Sequence, residues 1–315
     1  MQFTTRIHLS KFQNSISYDS KILSLGSCFA ENIGAKLDYF KFQNTTNPFG
    51  IIFNPVSLEQ LIYRIVNQIE FTEADVFYHN DLWYCYEVHS EFSNPDKEIF
   101  LNSLNQIVAS THQQIVSLTH CIVTLGTAWV YRNNDSKEIV ANCHKVPQKH
   151  FTKELLSIET IENSITNIIS LVHQINKNVQ FICTISPVRH IKDGFMENTL
   201  SKAHLISAIH SSNQQPTIIN YFPSYEIVMD ELRDYRFYAE DMLHPNAIAI
   251  NYIWERFKET AISEEVYRIM DEVESIQKAL AHKPFNPNSE SHQKFVKNLT
   301  TKIQLLHNQL PFLEF

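Results

Sequence analysis

The sequence predicts an α/β protein: a three-layer α/β/α sandwich on a mainly parallel sheet, flavodoxin-like, with a helical hairpin appended at the C-terminus. Three observations predict it. Short apolar runs at 22–25, 121–125 and 179–185 read as strands buried on both faces. Stretches of helical period lie between them, which gives strand, helix, strand repeated four times and calls for right-handed crossovers. The runs end in turn-forming residues such as Gly26 and Gly126.

Taken in order, residues 1–20 read as a leading arm. Ile22, Leu23 and Leu25 make a strand that ends at Gly26, and Ile33 and Leu37 then recur at helical spacing. Residues 41–55, rich in Asn, Pro and Gly, read as a loop before Leu58, Leu61, Ile62, Ile65 and Val66 resume a helical period. Phe77 with Tyr78, and Leu82 to Tyr86, flank His79-Asn80-Asp81 as a small hairpin. Residues 94–118 read as a long amphipathic helix. After the 121–125 strand, a second hairpin around Asn133-Asn134-Asp135 returns the chain to Asn142-Cys143-His144-Lys145. A helix is expected over 153–176, a strand over 179–185, a helix over 198–211, a last strand over 217–220, and a helix from Asn246 to Phe257.

Beyond residue 261 the pattern changes. Val266, Ile269, Val273, Ile276 and Leu280 form one apolar stripe, and Val296, Leu299, Ile303 and Leu306 another, across a proline-containing turn. The expected division is therefore 1–261 for the sandwich and 262–315 for a helical extension. The extension packs back on the sandwich or serves as a homodimer contact.

Composition narrows the function. A chain of 315 residues that is 43% hydrophobic buries a sizeable core. The net charge of −8, without any long Lys/Arg block, argues against a nucleic-acid partner. No run of about 18 apolar residues occurs and the opening has no apolar signal core, so no membrane association and a cytoplasmic location are expected. The five cysteines, Cys28, Cys85, Cys121, Cys143 and Cys183, lack CxxC spacing, which speaks against a disulfide framework or a thiolate zinc site. Only five glycines are present, and none builds a phosphate loop, so no cofactor is expected.

The chemistry concentrates at two places. Gly26-Ser27-Cys28 sits at the carboxyl end of a strand and the amino end of a helix, where open α/β sheets place ligands. Free amides and the helix dipole there are expected to ease ionisation of the Cys28 thiol, with Ser27 as the rival nucleophile. Asp241 and His244 stand three apart just before a helix, a spacing that lets the carboxylate fix the imidazole tautomer while the other ring nitrogen takes a proton. Asn142 and His144 return towards the same end of the sheet. Arg189 and His190, just past a strand's carboxyl end, are substrate-side candidates, with Arg189 suited to an anionic group. His144, His190, Asp241 and His244 show no compact metal-ligand spacing, so no metal site is expected.

The string Gly26-Ser27-Cys28-Phe29-Ala30 is the motif that gives the GSCFA family its name, and the chain resembles that family over residues 23–257. Asn142 to Lys145, Ser186 to His190 and Tyr221 to Glu226 match further stretches of it. The family is itself similar to the SGNH (GDSL) esterases and acyltransferases. That resemblance implies the SGNH sandwich, with Gly26, Ser27 and Cys28 in the places of a Gly-Asp-Ser turn and Asp241 and His244 as the closing D-x-x-H. It also implies oxyanion donors near Gly50 and near Gly126-Thr127, although the asparagine usual at the latter place is missing; Asn142 or His144 would fill that gap. The implied function is an esterase or acyl hydrolase with a Cys (or Ser) nucleophile and a covalent acyl-enzyme intermediate, acting on a small-molecule or carbohydrate acyl ester. The alternatives are acyl transfer from a thioester donor to a carbohydrate hydroxyl, and a non-catalytic ligand-binding module.

Overall fold

The structure, a computed structural model, describes residues 4–212 and 219–315. In chain order it runs β1 (Lys21–Gly26), α1 (Cys28–Tyr39), β2 (Gln43–Thr46), α2 (Pro55–Val66), the hairpin β3 (Val76–His79) and β4 (Leu82–Cys85), and α3 (Lys97–Ser117). Then follow β5 (His120–Leu125), β6 (Trp129–Asn133), β7 (Ile139–Val140), β8 (Phe151–Leu155), α4 (Ile158–Ile175), β9 (Gln180–Ile185), α5 (Phe195–Ser212) and β10 (Ile219–Phe222). A short α6 (Ser224–Glu226) passes into a π-helical turn (Ile227–Leu232), and α7 (Ala247–Ala261), α8 (Tyr267–Leu280) and α9 (Glu290–Gln309) close the chain.

The central sheet has the order β10-β9-β5-β1-β2, and every pairing is parallel. Alternate strand residues feed two cores. Leu23, Leu25, Cys121, Val123 and Phe181 face one layer with side chains of α2, α3, α4 and α5. Ile22, Ile122 and Ile182 face the other, with α1, α7 and α8. This is why these strands read as continuous apolar runs: both faces are covered, and each fully buried Leu or Ile contributes about 1.5–3 kcal/mol. The helices begin where short polar side chains satisfy their first amides, with Ser27, Asn54, Asp96, Ser157 and Asn246 as N-caps.

Two strands lie where the sequence predicts none. β2 is Gln-Asn-Thr-Thr, half-buried throughout, and pairs with β1 from Lys21↔Gln43 to Ser24↔Thr46. At a sheet edge the backbone ladder carries the pairing, so no apolar pattern is needed. β8 occupies residues expected to begin a helix; it pairs with β6 in a separate antiparallel sheet of order β7-β6-β8, and the helix starts only after the Ser157 cap. Of the last predicted strand, residues 217 and 218 lie outside the described residues, and β10 begins at Ile219.

The leading arm is bound along α7, through Phe12 N–H to the Thr260 carbonyl at 2.9 Å and Ile16 N–H to the Ala261 carbonyl at 2.7 Å. In the extension, Met270, Val273 and Ile276 of α8 are buried in the second core and Gln277 donates to the Tyr39 carbonyl. α9 is barer: Leu306 is buried, whereas Val296 is 44% exposed. Among the described residues no helix is long and apolar enough to cross a membrane.

Candidate active site

β1 delivers the site through Gly26. Its φ of +130° and its approach to β5 both demand glycine, since a Cβ there would lie 2.0 Å from the Thr124 carbonyl oxygen. Ser27 follows as the N-cap of α1: it is 1% exposed, and its Oγ accepts from Phe29 N–H at 3.3 Å. Its hydroxyl is thus spent on the helix end. Cys28, one residue on, is partly exposed, and its thiol meets the amides of Cys28 and Phe29 at the start of the helix.

The thiol does not ionise as easily as the turn alone suggests. Burial pushes the Cys28 thiol up, and the carboxylate of Glu31 one turn along adds to this; Lys202 and the two amides oppose both. Desolvation outweighs the helix end here. In the resting protein Cys28 is a neutral thiol, so its chemistry needs a base.

Lys202 is the residue the sequence reading missed. It is 1% exposed on α5, and its Nζ donates to the carbonyls of Gly126 and Ser186, both at 2.7 Å. These carbonyls end β5 and β9, so the ammonium ties two strand ends together beside Cys28. Burial drives its pKa down to about 7, with the Cys28 charge pulling the other way. A signal existed: Lys202 falls at helical spacing with Leu205 and Ile209, on the buried face of α5. A lysine at a core position of an amphipathic helix is rarely idle.

Asp241 and His244 form a close pair. Asp241 Oδ2 lies 2.5 Å from His244 Nδ1, while its Oδ1 accepts from the amides of Leu243 and His244 at 2.9 and 3.0 Å. These amides, ahead of the ring, hold the carboxyl at about 2. The acceptor at Nδ1 places the proton there and leaves Nε2 as the basic nitrogen. Both side chains are nearly half exposed, at the mouth of the site.

His190 connects the two groups. It follows β9, its amide is held by Asn198 Oδ1 at 2.9 Å, and its ring tilts against Phe53 at 5.5 Å. Its Nε2 and the Ser27 Cβ flank the same bare glycine, at 3.3 and 3.4 Å from where a Cβ on Gly126 would sit. Burial, then the nearby Lys202 charge, hold its pKa down to about 4, and the His244 charge acts in the same direction. His190 is therefore a neutral imidazole beside the Cys28 turn, close enough to feel the His244 charge.

The remaining candidates do other work. Gly50 N–H donates to the Asn47 carbonyl at 2.7 Å, and the Gly126 and Thr127 amides both point at the Phe53 carbonyl, at 2.8 and 3.4 Å. Thr127 Oγ1 is bonded to Ser201 Oγ and to Trp129 N–H. Asn142 Oδ1 accepts the His144 amide at 2.8 Å, and His144 is buried with Nδ1 on Ser90 Oγ at 2.9 Å and Nε2 on the Cys85 carbonyl at 2.7 Å. Burial first, with the charges of His89 and His79 adding, lowers His144 to about 4. Asn47, unnoticed in the sequence, accepts Gly26 N–H at 2.8 Å, and its Nδ2 is buried without a partner among the described residues. Arg189 lies partly buried behind His190. Among the described residues no three His, Cys, Asp or Glu side chains are arranged to hold a metal ion.

A cleft of about 920 Å³ lies elsewhere, between α2, α4 and the two hairpins. Its cation, Arg64, is already paired with Asp75 and Glu87. Cys28 and His244 do not line it, so volume and chemistry part company in this protein. We place the site with the chemistry.

In comparisons with known proteins, the family described as "GSCFA family" matches residues 21–257, and "GSCFA domain protein, C-terminal domain" matches residues 273–315. No curated protein matches the chain.

Proposed function

Because the chain belongs to the GSCFA family and carries a thiol at the end of β1 and an Asp–His pair just before α7, we propose that it is an esterase or acyl hydrolase of the SGNH type, with Cys28 as nucleophile. The observation that carries this reading is the Asp241–His244 pair at 2.5 Å, whose charge acts on His190 beside the Cys28 turn. A raised thiol pKa fits general-base chemistry better than a standing thiolate.

In the first step His244 Nε2 takes the proton from Cys28 Sγ as the sulfur attacks the acyl carbonyl, and Asp241 stabilises the imidazolium that forms. The Cys28 amide and an N–H of His190 supply the oxyanion's donors, with Asn47 Nδ2 in reserve on the neighbouring strand. A neutral imidazole suits this role, because an imidazolium would surrender its proton instead of polarising the carbonyl. Collapse expels the alkoxide, which takes the proton from His244 and leaves a thioester on Cys28. Water, deprotonated by His244, then cleaves the thioester to the carboxylic acid and the free thiol. An acceptor hydroxyl in place of water makes the same machinery an acyltransferase, with a thioester as the donor and a carbohydrate as the acceptor.

Intact mass after incubation with p-nitrophenyl acetate or acetyl-CoA tests the proposal in wild type, Cys28→Ser, Ser27→Ala and His244→Ala. A single acetyl adduct is expected on Cys28, retained in Ser27→Ala and slowed in His244→Ala. The donor that works separates hydrolase from transferase. The raised thiol also favours a second reading, a ligand-binding module without turnover. Saturable ligand binding unchanged in Cys28→Ala, with no adduct from either donor, would establish that reading instead.

A further inference from the structure

We propose that Arg189 forms a subsite for an anionic group, a carboxylate or phosphate, so that the substrates handled at Cys28 carry negative charge away from the reacting carbonyl. The substrate class rests on the acyl-transfer reading; the subsite itself rests on Arg189.

Arg189 is a cation without an anion. Its Nη2 donates to the thioether of Met229 at 2.9 Å, a weak acceptor, and its Nε is buried with no partner among the described residues. Nη1 also lacks a partner among the described residues and is not among the buried unpaired atoms, so it reaches solvent. Asp193, four residues on, pairs with Lys153 at 2.6 Å, and the acidic groups flanking Met229 are engaged as well. Glu226 takes the Tyr221 hydroxyl on both oxygens, at 2.7 and 2.9 Å, and Asp230 pairs with Arg233 at 3.4 Å. Arg236 has Asp234 at 2.8 Å. Arg233 and Arg236 are thus paired and exposed, whereas Arg189 is partly buried and has no carboxylate partner among the described residues.

Its position connects it to the reacting centre. Arg189 adjoins His190 past the end of β9. The Tyr238 hydroxyl meets the same Met229 sulfur at 4.0 Å, and the Arg189 charge opposes the upward push of burial on the hydroxyls of Tyr225 and Tyr238. The Tyr225 ring in turn lies 5.6 Å from Lys202 Nζ, the group that acts on Cys28. Tyr225 thus stands near both the Arg189 charge and the cation that acts on Cys28. A guanidinium withdrawn from water and left unpaired is costly, and a carboxylate or phosphate that fits its planar fork removes that cost.

The test begins with binding, which needs no turnover. Glutarate, inorganic phosphate and neutral glutaramide are titrated into wild type, Arg189→Gln and Arg189→Lys and followed by calorimetry. One of the two anions is expected to bind saturably to wild type and glutaramide not to. Affinity should drop at least about tenfold in Arg189→Gln, and Arg189→Lys should restore part of it. The anion that binds identifies the group as carboxylate or phosphate. Absence of saturable binding of both anions by wild type overturns the subsite, as does equal binding by Arg189→Gln. If Arg189→Gln does not fold, wild type and Arg189→Lys decide the matter, and indistinguishable affinities overturn the proposal. In a second arm, kcat/KM for the p-nitrophenyl monoester of glutarate over that for p-nitrophenyl butyrate is compared between wild type and variants. A ratio that falls about tenfold or more with loss of Arg189 supports the subsite; an unchanged ratio overturns it. Anion binding through Arg189 without any adduct on Cys28 would leave the subsite standing and remove the acyl-transfer reading.

Discussion

Asp241 grips His244 at both of its oxygens, Oδ2 on the ring Nδ1 at 2.5 Å and Oδ1 on the His244 amide at 3.0 Å. The carboxylate thereby sets the tautomer of the ring and its angle to the backbone together. Asp241→Asn keeps the shape but presents an amide to Nδ1, so the ring turns or takes the other tautomer. Activity on p-nitrophenyl acetate should fall by a factor on the order of 10²–10⁴, as expected when a triad carboxylate is neutralised. Both groups are nearly half exposed, so the melting temperature should barely move. Full activity in a folded Asp241→Asn protein would remove His244 from the role of base.

The Cys28 thiol should titrate above an ordinary cysteine. Burial first, then the Glu31 carboxylate, raise its pKa, so removing the Glu31 charge should bring it down. The pH profile of iodoacetamide alkylation measures this. The midpoint in wild type is expected above the free-thiol value of about 8.5. Glu31→Gln, which removes a negative charge from the exposed side of α1, should lower it. A midpoint below that of free cysteine would show that the helix end prevails over burial.

Gly26→Ala should be among the most damaging single substitutions in the chain. The new methyl would meet the Thr124 carbonyl at 2.0 Å and sit on a backbone with φ of +130°, where an L side chain is strained. Moving either strand disturbs the β1–β5 register that holds the turn. A loss of at least about 3 kcal/mol is expected in urea denaturation. By contrast, Ser27→Ala removes a helix cap and should cost about 1 kcal/mol.

The three buried strands were legible because β1, β5 and β9 are covered on both faces, and such strands leave uninterrupted apolar runs. β2 escaped because a polar edge strand is held by its backbone, and β8 because its five residues, Phe-Thr-Lys-Glu-Leu, suit a helix start as well as a strand. The Cys28 turn and the Asp241–His244 spacing are local, and local geometry can be read from spacing. The surroundings of Cys28 cannot. Lys202, His190 and Asn47 arrive from α5, the end of β9 and the end of β2, and their states depend on burial that only the packed sheet creates. The free amides expected of Gly50, Gly126 and Thr127 are likewise taken up by carbonyls of neighbouring loops.

Lys202 should make the stability of the protein depend on pH in a definite direction. In the unfolded chain its amine keeps its proton to about pH 10.4, whereas burial lowers its pKa in the folded protein to about 7. Between these values the unfolded state binds the extra proton, so the contribution of Lys202 to stability rises with pH, by about 1.4 kcal/mol per unit at most. Below pH 7 both states are protonated and the slope vanishes. Lys202→Met removes the titration and also strips the Gly126 and Ser186 carbonyls of their donor, at about 1–3 kcal/mol for each buried group left unpaired. The variant should therefore be less stable than wild type, and the gap, followed by urea denaturation at pH 6, 7.5 and 9, should widen as pH rises. A gap that stays constant over this range would mean that Lys202 keeps its proton in the folded protein. The Cys28 thiol would then face a permanent ammonium and titrate lower than proposed.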